Sequence, residues 1–200
     1  GWKQVDRVSL DVVVGVGPGQ AFGERWSELN AGQAVGLIPC AMGGTTIENW
    51  QRDEGASSLY GSMLRRCRAA AAEGEIRGVL FFQGESDAVG DRVERWAELF
   101  VRWAGDLRSD LGKPELPIVF AQLGDGSQSV DPAEWRRLQE VQAGVMLAQC
   151  AMITTSDLPL SDDVHFTTDG YREVGRRFAE AMHRLTRPAG IVSETQPSRP

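Results

Sequence analysis

The chain has 200 residues, 42% of them hydrophobic and 24% charged, with a net charge of −7. That is long enough to bury a core without disulfide or metal staples. The acidic balance argues against a nucleic-acid partner, and no apolar run reaches the roughly 18 residues a membrane span needs. The three cysteines, Cys40, Cys67 and Cys150, are far apart, form no C-x-x-C, and sit in apolar stretches. They read as small buried hydrophobes, and no metal or organic cofactor is called for. Oligomeric state is open. So is the compartment: the chain opens on Gly1 with no signal-peptide pattern, which fits a trimmed start or a secreted protein whose leader has been removed.

Taken in chain order, residues 8–16 form the first short apolar run and predict a strand. Gly17-Pro18-Gly19 then opens a helix. A second strand is predicted over 34–41, ending at Gly43-Gly44-Thr45-Thr46. Tyr60, Met63, Leu64 and Cys67 repeat at helical spacing, and a third strand is predicted over 76–82. Val89, Val93, Trp96, Leu99, Phe100 and Trp103 mark one face of the next helix. A strand over 116–123 follows. Asp131, Pro132 and Glu134 then supply a cap, a first-position proline and an acid for a helix buried through Leu138, Val141 and Val145. The last strand is predicted over 151–155. The last helix, starting at Thr167 or Thr168, buries Tyr171, Val174, Phe178, Met182 and Leu185. His183 lies within it, on its surface. Residues 1–187 are read as one domain, and 188–200 as a Pro/Ser/Thr-rich tail or linker.

Short, continuously apolar strands alternating with helices predict an α/β fold: a three-layer α/β/α, doubly wound, flavodoxin-like parallel sheet. Ligands in such a sheet bind at the carboxyl ends of the strands. That rim gathers Gly43–Thr46, Gln83-Gly84-Glu85-Ser86-Asp87 and Asp162-Asp163-Val164-His165.

Asp162 and His165 are the candidate catalytic residues. A D-x-x-H step lets the carboxylate reach back to imidazole Nδ1, fixing the tautomer while the other nitrogen takes a proton. Gln83, at a strand end, offers an amide to a developing oxyanion, and the paired glycines let a backbone N–H approach a reacting carbonyl. Gly43, Gly44, Thr45, Gln83 and Glu85 are thus the candidate oxyanion or substrate-binding residues. Trp50 is read as core, with stacking on a sugar ring as the alternative.

Residues 35–50, Phe82-Gln83-Gly84-Glu85-Ser86-Asp87 and Asp162-Asp163-Val164-His165-Phe166 together resemble the sialate O-acetylesterase-like branch of the SGNH hydrolases. That branch includes carbohydrate esterase family six and its acetylxylan esterases. Gly17-Pro18-Gly19 with Phe22 is similar to the segment opening that family's first helix, so the resemblance runs from about 16 to 182. It implies a carbohydrate O-acetyl esterase using Ser-His-Asp chemistry on an acetylated sugar or polysaccharide. Gly44 or Gly43 and Gln83 would form the oxyanion hole, with Asp162 and His165 as acid and base.

One element departs from the family. Its nucleophile sits in a Gly-Gln-Ser-Asn box after the first strand, and no such box occurs in these 200 residues. Gln20 follows Gly19, but Ala21 comes next. Ser86 and Thr45 are rim hydroxyls that do not follow the first strand. Either the true first strand and serine precede Gly1, or 8–16 is itself that strand and the serine is gone. A catalytically silent carbohydrate-binding or scaffold relative is therefore the alternative to an esterase. A nucleotide-binding domain fits poorly, because Gly15-Val16-Gly17-Pro18-Gly19 has the wrong spacing and a proline.

Overall fold

The structure, a computed structural model, describes residues 16–55, 57–126 and 129–187. The strand expected over 8–16 lies outside these residues except for Val16, and the tail 188–200 lies wholly outside them. Helix α1 spans Gly19–Leu29 and α2 spans Leu59–Ala70; strand β1 (Val79–Phe82) follows, then α3 (Arg92–Asp110), β2 (Ile118–Ala121), α4 (Pro132–Ala143), β3 (Cys150–Ile153) and α5 (Thr168–Thr186). Two 3-10 turns, Ile47–Trp50 and Glu85–Asp87, interrupt the loops after 34–41 and after β1.

The strands pair in parallel in the order β1-β2-β3, with Val79 opposite Ile118 and Ile118 opposite Cys150. Successive side chains of a strand face opposite sides. Ile118 and Phe120 enter one core with Phe81 and residues of α2, α3 and α4, whereas Val119 and Ala121 enter a second core with Phe22 of α1 and Val174 and Phe178 of α5. The expected α/β/α layering is therefore present, with helices on both faces of a parallel sheet.

The larger core is aromatic. The Trp96 and Phe100 rings stack at 5.1 Å, Phe81 lies 4.7 Å from Trp103, and Phe100 lies 4.9 Å from Phe120. All five rings are buried. Each large apolar side chain buried this way contributes about 1.5–3 kcal/mol. On the other face, α1 and α5 meet at Gly175, where an added Cβ would come within 2.3 Å of the Pro18 carbonyl oxygen. Only glycine permits that approach.

Capping follows the sequence. The Asp131 side chain accepts the Ala133 N–H ahead of Pro132, Ser58 accepts the Gly61 N–H, and Thr167 accepts the Gly170 N–H. At the opposite end of the sheet from the rim, buried Arg108 donates to the carbonyls of Leu116, Ala148 and Gln149, clamping the entries of β2 and β3.

Three expectations are corrected. Residues 34–41 carry no strand ladder with any other described residue. Their side chains do alternate between the two cores, Val35 and Leu37 to one and Ile38 and Cys40 to the other, so the segment is extended in the sheet layer. A ladder needs a hydrogen-bonded neighbour, and none stands beside it among the described residues. The predicted strands are also too long, because burial outruns pairing: Leu116 and Leu123 are buried beyond the ends of β2. His183, finally, is half-buried rather than on the surface. Its Nδ1 lies 3.1 Å from Asn30 Oδ1, and its ring meets Trp26 of α1 edge-on.

Candidate active site

The loop between β3 and α5 folds back on itself through a bridge between Leu160 and Phe166. The Ser161 N–H and hydroxyl both donate to the His165 carbonyl, at 2.7 and 3.1 Å. Phe166 anchors this turn, its ring stacked 5.9 Å from Phe82 at the end of β1 and edge-on to Tyr171. Asp162 and His165 are thereby presented at the carboxyl-end rim.

Asp162 holds His165 at several points. Its Oδ2 and Oδ1 lie 2.8 and 3.1 Å from His165 Nδ1, and Oδ1 also accepts the backbone N–H groups of His165 and Val164 at 2.8 and 3.0 Å. The N–H bonds from Val164 and His165, then the imidazole, pull the Asp162 carboxyl down to about 2. With its side chain 65% exposed, His165 is accessible to a group that must pass a general base its proton.

The block after β1 is knitted to the loop after 34–41. Gln83 is buried, and each atom of its amide is engaged. Nε2 donates to the Thr45 carbonyl at 2.9 Å and to the Asp87 carboxylate, while Oε1 accepts the Trp96 indole N–H at 3.0 Å. Asp87, wholly inaccessible to solvent, also accepts the Ile47 N–H at 2.9 Å. Burial pushes the Asp87 carboxyl up, against the opposing pull of Gln83 and Ile47. Gly43 and Gly44 form an exposed turn just ahead. The Thr45 hydroxyl donates to the Met42 carbonyl at 2.9 Å and accepts the indole N–H of Trp50, which is buried in the core.

Glu85 joins the second block to the third. It lines a small cleft with Phe82, Leu123, Trp135, Val164 and Phe166. Desolvation pushes its carboxyl up, while the Glu85 and Gly84 backbone N–H groups and nearby His165 oppose that. The three stretches singled out in the sequence are thus neighbours on one rim: the first two share hydrogen bonds, and the last two share this cleft. Among the described residues no three His, Cys, Asp or Glu side chains converge where a metal ion could sit.

Sequence reasoning quoted Asp87 within its motif but gave it no role, and it overlooked Gln142. That side chain is fully buried, accepts the Leu123 N–H and donates to the Gln83 carbonyl. A polar residue on the apolar stripe of α4, one turn from Leu138, was the available signal.

Residues 3–184 match the family described as carbohydrate esterase, sialic acid-specific acetylesterase. The chain belongs to that family. Among its relatives is an Arabidopsis thaliana protein named "Probable carbohydrate esterase", 37% identical over 174 residues, covering 84% of this chain and 64% of the relative. The X-ray structure of that Arabidopsis protein superposes with a TM-score of 0.75 at 35% identity, covering 85% of this chain and 69% of the other. A carbohydrate acetylesterase from Xanthomonas citri shares the fold, with a TM-score of 0.73 at 24% identity over 84% of this chain and 40% of its own. The chain therefore spans just under two thirds of the curated relative's length and well under half of the bacterial structure.

Proposed function

We propose that this carbohydrate esterase family member is an SGNH-type O-acetyl esterase that releases acetate from an acetylated sugar or polysaccharide. The observation that carries the reading is the Asp162–His165 pair, a carboxylate clasping Nδ1 on the strand-end rim of a parallel sheet. The motif resemblance to the sialate O-acetylesterase-like and family-six branch supports the acetylated-sugar substrate class.

In the proposed reaction, the free His165 nitrogen takes a proton from a serine hydroxyl as its oxygen bonds to the acetyl carbon. The sugar–oxygen bond to that carbon then breaks, and His165 returns the proton to the departing sugar oxygen. Water repeats the sequence and frees acetate. The Gly44 backbone N–H in the exposed Gly43-Gly44 turn receives the oxyanion. Gln83 could join it only by giving up Thr45 or Asp87, because both of its Nε2 hydrogens are engaged. The serine does not come from a Gly-Gln-Ser-Asn box in these 200 residues, and the Thr45 hydroxyl is tied in both directions. The second reading is a relative that binds acetylated carbohydrate without turning it over, and the commitment of the Thr45 hydroxyl to Met42 and Trp50 is the observation on its side.

Acetate release from acetylated oligosaccharides by the encoded protein decides between them. Under the esterase reading His165→Ala lowers kcat by several orders of magnitude, as loss of a triad base does, with KM little changed. Saccharide binding without acetate release establishes the second reading.

A further inference from the structure

Asp87 is the buried carboxylate for which the proposed chemistry has no use. It follows β1 by five residues, is fully enclosed, and forms no ion pair within 4.0 Å among the described residues. Retaining an ionisable group in such a place is costly unless its oxygens are hydrogen-bonded. Here they are: Ile47 N–H reaches both oxygens, at 2.9 and 3.3 Å, and Gln83 Nε2 reaches Oδ2. Gln83 in turn holds the Thr45 carbonyl, and its own orientation is fixed by the Trp96 indole. Thr45 and Ile47 flank Thr46, whose backbone N–H is held by the Asn49 side chain, and Thr45 directly follows the Gly43-Gly44 turn.

We infer that Asp87 is a positioning residue that, through Gln83 and the Ile47 N–H, locks the Gly43–Ile47 loop to the end of β1 and so holds the Gly44 N–H where an oxyanion forms. The inference rests on the proposed esterase reading for its chemistry, but the lock itself can be measured without turnover. A carboxylate is suited to the task because it has only acceptors, whereas both neighbours present donors. Both short bonds converge on Oδ2, so an asparagine either turns its NH2 towards Gln83 Nε2 or, with its oxygen in the Oδ2 place, sets an NH2 about where Oδ1 stands, 3.3 Å from the Ile47 nitrogen. Misplacing an oxyanion donor by about 1 Å can cost on the order of 100-fold in rate.

The test is Asp87→Asn in the full encoded protein, read by amide hydrogen exchange and by kinetics on an acetyl ester. Exchange at Gly44, Thr45 and Ile47 should rise at least tenfold while the amides of β2 and α5 keep their protection. The kcat should fall about 10- to 100-fold with KM changed less than threefold. A purely structural Asp87 would instead raise exchange throughout the core and leave kcat per folded molecule unchanged, which overturns the inference. Unchanged loop exchange overturns it too. If the variant does not fold, the unmodified protein supplies the decision. Its two Gln83 side-chain amide protons should resolve as slowly exchanging signals, and rapid exchange of either one means that the lock does not exist. An inactive parent with a loop loosened by Asp87→Asn would refute the esterase reading while leaving the lock in place.

Discussion

Asp162 and His165 are joined through the side chain and the backbone at once. The carboxylate meets imidazole Nδ1 at 2.8 Å and accepts the same histidine's backbone N–H at 2.8 Å. The ring is therefore fixed against the turn that carries it, although both side chains are more than half exposed. A surface ion pair between mobile side chains would lack this definition. The tight Ser161–Phe166 turn supplies it.

Under the esterase reading, in an encoded protein that carries the serine, Asp162→Asn should cost roughly 10⁴-fold in kcat on an acetyl ester with little change in KM, because an amide in place of the carboxylate favours the wrong imidazole tautomer. The same residue predicts a pH effect on stability. Its folded-state value is depressed from 3.8 to about 2, so its contribution is present above about pH 4 and is lost as pH falls towards 2. Thermal melting of the parent and of Asp162→Asn should differ at pH 6 and converge near pH 2. Curves that stay equally separated down to pH 2 would contradict the assignment.

Gly84→Ala should destabilise the rim. Gly84 has φ +155°, and an added Cβ would lie 2.8 Å from Gln142 Nε2 and 3.3 Å from Leu123 Cγ. The backbone strain alone is worth about 1–3 kcal/mol. Displacing Gln142 would also weaken its bonds to Leu123 and Gln83. Urea unfolding should show a lower midpoint with an unchanged slope. A midpoint equal to the parent's would mean that the strand end relaxes freely.

The 200-residue polypeptide should resist a fluorophosphonate probe and hydrolyse 4-nitrophenyl acetate only weakly, with no burst. The Thr45 hydroxyl is committed to Met42 and Trp50, and a site lacking its nucleophile keeps only about 10³–10⁴-fold over water. Mass spectrometry that maps robust labelling to Thr45 or Ser86 would reveal a nucleophile in an unexpected place.

The thiols should be sluggish in the native protein. Burial pushes Cys40 and Cys150 up to about 11 and raises Cys67 as well. Cys40 and Cys150 are therefore almost wholly protonated at pH 8, Cys67 is shifted the same way, and the thiolate is the reactive form. Ellman's reagent should react far more slowly with the native chain than in denaturant. Fast titration of one thiol without unfolding would show an opening that exposes it.

Local pattern carried much of the fold. The stripe through Val93, Trp96, Leu99, Phe100 and Trp103 is the buried face of α3, although Val89, expected to open it, precedes the helix and is exposed, and the Asp131-Pro132 start of α4 stands where the cap chemistry put it. Strand limits were less legible, since an apolar run records burial and not pairing. Leu116 and Leu123 are as buried as β2 itself yet stand outside its ladder. For 34–41, alternation between the two cores survives without any ladder to another described residue.

The site divides in the same way. A D-x-x-H step spans one turn, so its contact is local, and the sequence by itself determined that Asp162 could reach His165. It also determined that strand ends would bring the Gly43-Gly44 turn, Gln83 and Glu85 to one rim. Only the tertiary structure decided what those side chains do there. It spends the Gln83 amide on Thr45, Asp87 and Trp96, partners 38, 4 and 13 residues away. It encloses Asp87 among donors from two loops and sets Glu85 in the cleft beside His165. The physical reason is range. Periodicity and caps act over a few residues of one element, whereas a buried amide or carboxylate takes its role from whichever distant groups the packing leaves within hydrogen-bond reach.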